Sequence, residues 1–284
     1  QSFAESLRIG ETMGPASLFH ETSERYSLSF VKWLAAARTF GQPYGDECCQ
    51  PPPTYEQLMM AYLWMGMMQC FESNYCQWWG GRPAPENVAQ LKAYHRLMYD
   101  AEYLPDPVCL ALSLETGHDE VPRTIKEAKG PGGLHQPVMS HYGLASCLRE
   151  LNVNPDRYML DEFPELDANV KVKLLVDDIT RAMPKGFADR IERFVRAGGA
   201  YLASIETDML NGRAFLKRFG FTDDELTRTD AEPFPTVERQ VGAGRVVVLR
   251  KGWSFGWDPG RPADYCRAAL EKLTELGAFE PLVQ

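Results

Sequence analysis

The chain has 284 residues, enough for two ordinary domains or one large one, and is 44% hydrophobic and 24% charged, which leaves apolar material for sizeable cores. Its formal net charge is −9 with no Lys/Arg run that could track phosphates, so neither nucleic acid nor an anionic membrane is an expected partner. The richest apolar run, Leu58 to Met68, falls well short of the ~18 residues of a membrane span.

The first stretch, Gln1 to Thr22, shows no regular period and reads as a stray segment. Within it Glu11 sits in a Gly-containing loop, Gly10-Glu11-Thr12-Met13-Gly14-Pro15, as either a cleft-lining acid or a solvated loop residue. His20 carries the same two readings. Ser23 to Thr39 places Leu28, Val31, Leu34 and Ala35 at helical spacing. Gln42 to Glu47 reads as a short strand that ends on a carboxylate, followed by the Pro51-Pro52-Pro53 stop. Thr54 then caps a helix from Tyr55 to Met68, with Gln57 placed as in a capping box.

A second short strand is expected from about Cys70 to Gln77. Glu72 lies inside it, and the aromatic pair Trp78-Trp79 closes it. A helix from about Pro85 to Tyr103 follows and stops at Leu104-Pro105-Asp106-Pro107. Two strand–helix units cannot cover their own sheet faces or edges, so this part reads as the tail of a larger domain.

From Pro107 the pattern restarts with an apolar strand, Val108 to Leu114. A Gly-rich loop at Gly130-Pro131-Gly132-Gly133 leads to a helix at about Met139 to Leu151. Strands are expected near Tyr158 to Asp161 and at Val172 to Val176, the latter closed by Asp177-Asp178. The helix Pro184 to Ala197 ends on Gly198-Gly199, a C-terminal glycine signal. Strand Ala200 to Ile205, helix Gly212 to Phe219, a hairpin around Gly242-Ala243-Gly244 and a last helix from Ala263 to Leu276 complete the chain. Alternating β and α units with short Gly turns predict a three-layer, doubly wound α/β sheet.

The seven cysteines are odd in number and irregular in spacing, so no disulfide framework is expected. Most read as buried small hydrophobes, which favours a reducing, cytoplasmic compartment. His118, His135 and His141 lack metal-ligand spacing, and neither metal nor cofactor is expected. The chain starts at Gln1 rather than Met and shows no signal-peptide pattern, which leaves a processing site or a point within a longer polypeptide as readings of its start.

Two sets of residues carry a resemblance. Residues 1–107, with the strand ending at Glu47 and the next ending at Trp78-Trp79, resemble the last strand–helix units of a (β/α)8 glycoside hydrolase. Residues 108–284 resemble the class I glutamine-amidotransferase-like domain that follows the barrel in family 42-type β-galactosidases. The second likeness rests on Val108-Cys109-Leu110-Ala111-Leu112-Ser113, the helix His141 to Leu151, Lys173-Leu174-Leu175-Val176-Asp177 and, most specifically, Ile191-Glu192-Arg193-Phe194-Val195-Arg196-Ala197-Gly198-Gly199.

The resemblance implies a retaining hydrolase of β-linked glycosides. Glu47 would be the nucleophile, and Trp78 and Trp79 would line the sugar site. Glu72, inside its strand, reads as a structural partner or an acceptor for a sugar hydroxyl, and Glu11 as a further candidate contact to a carbohydrate substrate. The acid/base carboxyl of that family comes from the fourth barrel strand, which no part of this sequence supplies. It implies a homo-oligomer, or a partner chain or segment that completes the barrel. From the residues alone, Glu47 is equally readable as a polar turn residue before Pro51, and Trp78 and Trp79 as core. The amidotransferase-like half lacks a Cys at a strand–helix elbow: Cys109 lies in a strand, Cys147 in a helix, and Glu206-Thr207-Asp208 follow strand Ala200 to Ile205. That half is therefore expected to be catalytically inert, and a non-catalytic assembly module is the alternative reading of the whole chain. Asp177-Asp178 and Glu206-Thr207 sit at strand ends, where such sheets bind ligands, with solvated loop acids as the plainer expectation.

Overall fold

A computed structural model describes residues 18–22, 44–48, 76–78, 107–112, 158–160, 172–177, 180–229, 231–251 and 263–278, together with Ala89 and Ala93. The chain divides into two compact units, Gln1–Pro105 and Asp106–Gln284. The helices expected at 23–39, 55–68 and 139–151 lie outside the described residues. Of the helix expected at 85–103, Ala89 and Ala93 are helical and exposed.

The first unit contains a parallel three-stranded sheet of β1 (Leu18–Thr22), β2 (Tyr44–Cys48) and β3 (Cys76–Trp78), in that order. Two expectations change here. Part of the stray N-terminal segment is a strand, so Leu18–Thr22 contributes an element that its sequence, LFHET, hides behind three polar residues. The strand expected from Cys70 to Gln77 is described only as Cys76–Trp78, which puts Trp78 within the strand rather than beyond it.

The second unit is built on a six-stranded mixed sheet. Its strands are β4 (Val108–Leu112), β5 (Tyr158–Leu160), β6 (Leu174–Asp177), β7 (Ala200–Ser204), β8 (Thr236–Val241) and β9 (Gly244–Leu249). The spatial order is β5-β4-β6-β7-β9-β8, parallel throughout except for the antiparallel β8–β9 pair at one edge. Both alternating sets of side chains are buried. Cys109, Ala111, Leu175, Tyr201, Ala203, Val246 and Val248 belong to one core cluster, while Leu110, Leu174, Val176, Leu202, Val247 and Leu249 form the other set. This is the burial of a sheet covered on both faces, and it explains why these strands read as unbroken apolar runs rather than alternating ones.

Helix α1 (Lys185–Arg196) packs on the first of these faces through Phe187, Ala188, Ile191 and Val195, whose spacing gives one apolar stripe. It starts after Pro184, whose extended backbone suits the boundary and whose carbonyl accepts from Ala188 N–H at 2.9 Å. It ends in a Schellman motif. Gly198 N–H donates to the Val195 carbonyl and Gly199 N–H to the Phe194 carbonyl, with Gly198 at φ 115°. The glycine pair read from the sequence thus does what its chemistry allows, since a Cβ at Gly198 would meet the left-handed penalty.

The β8–β9 turn docks on this helix end. Ala243 N–H donates to the Arg196 carbonyl and Arg245 N–H to the Gly199 carbonyl, so carbonyls at the helix terminus find donors. The approach leaves no room for a side chain: a Cβ on Gly244 would stand 2.2 Å from both the Gly199 and Val195 oxygens. Gly244→Ala is therefore expected to push the hairpin off α1 and lower unfolding free energy by about 3 kcal/mol in a denaturant titration. Gly186→Ala, which meets open space, should sit within about 0.5 kcal/mol of wild type or above it.

The helix expected from Gly212 to Phe219 is shorter than its sequence suggests. A 3₁₀ turn (Met209–Asn211) precedes α2 (Ala214–Lys217), and Asp208, Gly212 and Arg213 between and before them all take positive φ. A last helix, α3 (Ala263–Glu275), places Ala269 and Leu273 in buried positions. No helix among the described residues is long and apolar enough to cross a membrane.

Candidate active site

In the first unit the backbone register sets out the candidate carboxylates. Glu47 is the penultimate residue of β2, the central strand of the three. Its partner in β1 is Glu21 and its partner in β3 is Gln77, so Glu21, Glu47 and Gln77 form one row across three parallel strands. One residue further on, Thr22, Cys48 and Trp78 form the next row. Glu47 and Trp78 are thus brought to adjacent rows near the C-terminal end of the same sheet, where parallel α/β folds carry their chemistry. Glu11, Glu72 and Trp79 lie outside the described residues. Glu21 carries no local signal in the sequence, since LFHET does not show a strand's alternation; its place beside Glu47 comes from register alone.

In the second unit the notable group is Asp177, the last residue of β6. The expectation of a solvated loop acid is wrong for it: its side chain is fully buried. Oδ1 accepts the Thr180 backbone N–H at 2.7 Å, while Oδ2 accepts the Tyr201 hydroxyl at 2.9 Å and the Thr207 hydroxyl at 2.5 Å. All three donors are neutral. Burial therefore outweighs the hydrogen bonds and raises its pKa from 3.8 to about 6. Tyr201 is pushed well above the ordinary phenol value, by burial first and then by the Asp177 charge, which keeps its hydroxyl protonated and donating. Thr207 Oγ1 in turn accepts the Ser204 N–H at 3.2 Å. Thr207 was paired with Glu206 in the sequence as a candidate ligand contact, yet it is buried and ties the post-β7 turn to the end of β6.

Asp208 follows in the turn after β7 and takes the left-handed backbone, φ 55° and ψ 26°. Its carboxylate is fully occupied with holding the loop. Oδ1 accepts Met183 N–H at 3.1 Å and the Asn211 amide at 2.7 Å, and Oδ2 accepts Phe215 N–H at 2.8 Å. This is why α2 starts late: Asp208 reaches forward to satisfy a free amide at its N-terminus. Cys109 is buried in β4, out of reach of solvent and of any elbow. A cleft of about 620 Å³ in this unit opens at the other end of the strands, lined by Lys173, Gly198, Gly244, Arg245 and Glu275 among others.

No protein-family model matches the chain, and no curated protein sequence matches it. Solved structures do. It is similar to a β-galactosidase from Rahnella sp. R3 with a TM-score of 0.61 at 15% identity, over 95% of this chain and 52% of that one. A catalytic mutant of a family 42 β-galactosidase from G. stearothermophilus gives 0.55 at 12% identity, over 98% and 51%. A β-galactosidase from the haloarchaeon Halorubrum lacusprofundi gives 0.54 at 12%, over 86% and 45%. The chain spans about half the length of these structures, and at such identities the likeness is one of fold. Its fold is similar to that of about half of each of these β-galactosidases.

Proposed function

We propose that the chain is part of a retaining glycoside hydrolase acting on β-linked, galactoside-like substrates, with Glu47 as the nucleophile. Residues 1–107 are read as the C-terminal portion of a (β/α)8 barrel and residues 108–284 as an amidotransferase-like, doubly wound domain without catalytic activity. The observation that carries the reading is the place of Glu47, next to the C-terminal end of the central strand of a parallel sheet, in a chain whose fold is similar to β-galactosidases along nearly its whole length. Of the pair Trp78 and Trp79, which the strand's period of two sends to opposite faces, one is read as an aromatic wall, and Glu72 and Glu11 are read as further substrate contacts.

In this mechanism a Glu47 carboxylate oxygen attacks the anomeric carbon as the bond to the leaving oxygen breaks. A second carboxyl group, from sequence outside residues 1–284 or from a partner chain, gives that oxygen its proton. Water then attacks the same carbon, the second carboxylate takes its proton, and the ester bond to Glu47 breaks. The site spans neighbouring strand ends and takes a carbohydrate without a metal or cofactor. A homo-oligomer, or a partner that completes the barrel, follows from the exposed strand edge that the chain would otherwise carry.

The second reading is a non-catalytic assembly module. It is favoured by Glu206-Thr207-Asp208 after β7, which contain no Cys and in which both Asp208 carboxylate oxygens are engaged in loop hydrogen bonds. Following an aryl β-galactoside by proton NMR with the full-length polypeptide separates the two. The β-anomer appearing first supports the retaining hydrolase, the α-anomer appearing first rejects the double-displacement role of Glu47, and no turnover with any aryl glycoside leaves the module.

A further inference from the structure

Resting on the glycosidase reading, we infer that Glu21 is a positioning carboxylate for Glu47. Its charge, one strand away in the same row, sets the pH at which Glu47 ionises and can attack. The register of β1 on β2 pairs Glu21 with Glu47 directly, and only the neutral Gln77 stands on the other side. Neighbouring strands lie about 4.8 Å apart, and like charges directly opposed across two strands destabilise a sheet. Local rules are broken in this way chiefly where function requires it.

The other titratable groups of these three strands lie in other rows: His20 opposes Asp46 with Cys76 beyond, Cys48 stands one row further on between Thr22 and Trp78, and Tyr44 opens β2 opposite Leu18. The His20–Asp46 row pairs a base with an acid in register, and the strand's period of two assigns that row, with Cys48 and Tyr44, to the alternate set. Among the described residues of this sheet, unbalanced negative charge therefore falls on the Glu21–Glu47 row. Two carboxyls so placed titrate as a pair, the first to ionise holding back the second. At an effective dielectric of about 20 to 40, a charge about 6 Å away moves its neighbour by about one to two pH units. Glu47 attacks only as the carboxylate, so the acidic limb of kcat/KM follows that displacement.

The test is the pH profile of kcat/KM for the full-length protein on an aryl β-galactoside. Glu21→Gln is expected to move the acidic limb down by about one unit and leave the basic limb in place, while Glu21→Asp restores the wild-type limb. An unchanged acidic limb in an active Glu21→Gln protein would overturn the inference. A second measurement reads the pair without turnover. The ¹³C carboxyl resonance of Glu47 is titrated in the wild type and in Glu21→Gln, and its midpoint should fall by about one unit in the variant. An unmoved titration overturns the coupling. If no 2-fluoro sugar labels Glu47, the glycosidase reading itself falls, and the role given to Glu21 falls with it.

Discussion

Glu47→Ala is expected to lower turnover of an aryl β-galactoside on the order of 10⁵-fold, because removing a covalent nucleophile removes the reaction path rather than one interaction along it. Folding should survive the change, since Glu47 is penultimate in its strand and its backbone pairing with Glu21 and Gln77 is kept. The diagnostic is rescue. Sodium azide admitted to the space of the lost carboxylate should attack the anomeric carbon and yield the α-glycosyl azide, the configuration opposite to the wild-type product. A variant that retains more than about a tenth of wild-type activity would mean that Glu47 is the turn residue that its sequence context also allows.

The second large effect concerns stability and Asp177. Its pKa stands at about 6 in the folded protein against 3.8 in an unfolded chain. A carboxyl with a raised folded pKa contributes stability that is fully present below 3.8 and is lost as pH rises through about 6. At about 1.4 kcal/mol per unit, the interval amounts to roughly 3 kcal/mol. The contribution of this group to unfolding free energy should therefore fall by that order between pH 4 and pH 7. Asp177→Asn should remove that slope. Its amide still accepts the Thr180 N–H and can donate to the Tyr201 and Thr207 hydroxyls, which are able to accept. At pH 8 it should match or exceed the wild type in a urea titration. Asp177→Ala should instead cost about 2 to 4 kcal/mol at any pH, because it strands two hydroxyls and an amide that are buried. Identical pH slopes for wild type and Asp177→Asn would show that the group is paired or hydrated in solution.

The contrast between these two residues shows how far the sequence reaches. Helix α1 was legible because Phe187, Ile191 and Val195 keep the helical period and Gly198-Gly199 stops it; the observed bounds differ from the expected ones by a residue at each end. The buried strands of the second unit were legible as apolar runs. Strand β1 was not, since Leu18–Thr22 offers two apolar residues followed by three polar ones, and its strand character comes from pairing with a segment 26 positions away in register. Asp177 and Asp178 looked like solvated loop acids because nothing local announces burial. What buries Asp177 is Tyr201 and Thr207, which reach it from 24 and 30 residues later in the chain. The late start of α2 has the same origin, in the contact of the Asp208 side chain with Phe215 N–H across a left-handed turn. Glu47 stood out because a strand ending on a carboxylate is readable locally. Its pairing with Glu21 is a property of register, which the sequence does not display.

The central claim is that Glu47 forms a covalent bond to sugar, and peptide mass mapping after treatment with 2-fluoro-glycoside inactivators tests it most directly. The native protein incubated with 2-fluoro-β-galactosyl fluoride should gain one sugar mass, carried by the peptide that contains Glu47, at a rate that a competing galactoside slows. An adduct on another carboxylate, or no adduct with any sugar of the series, would contradict the assignment.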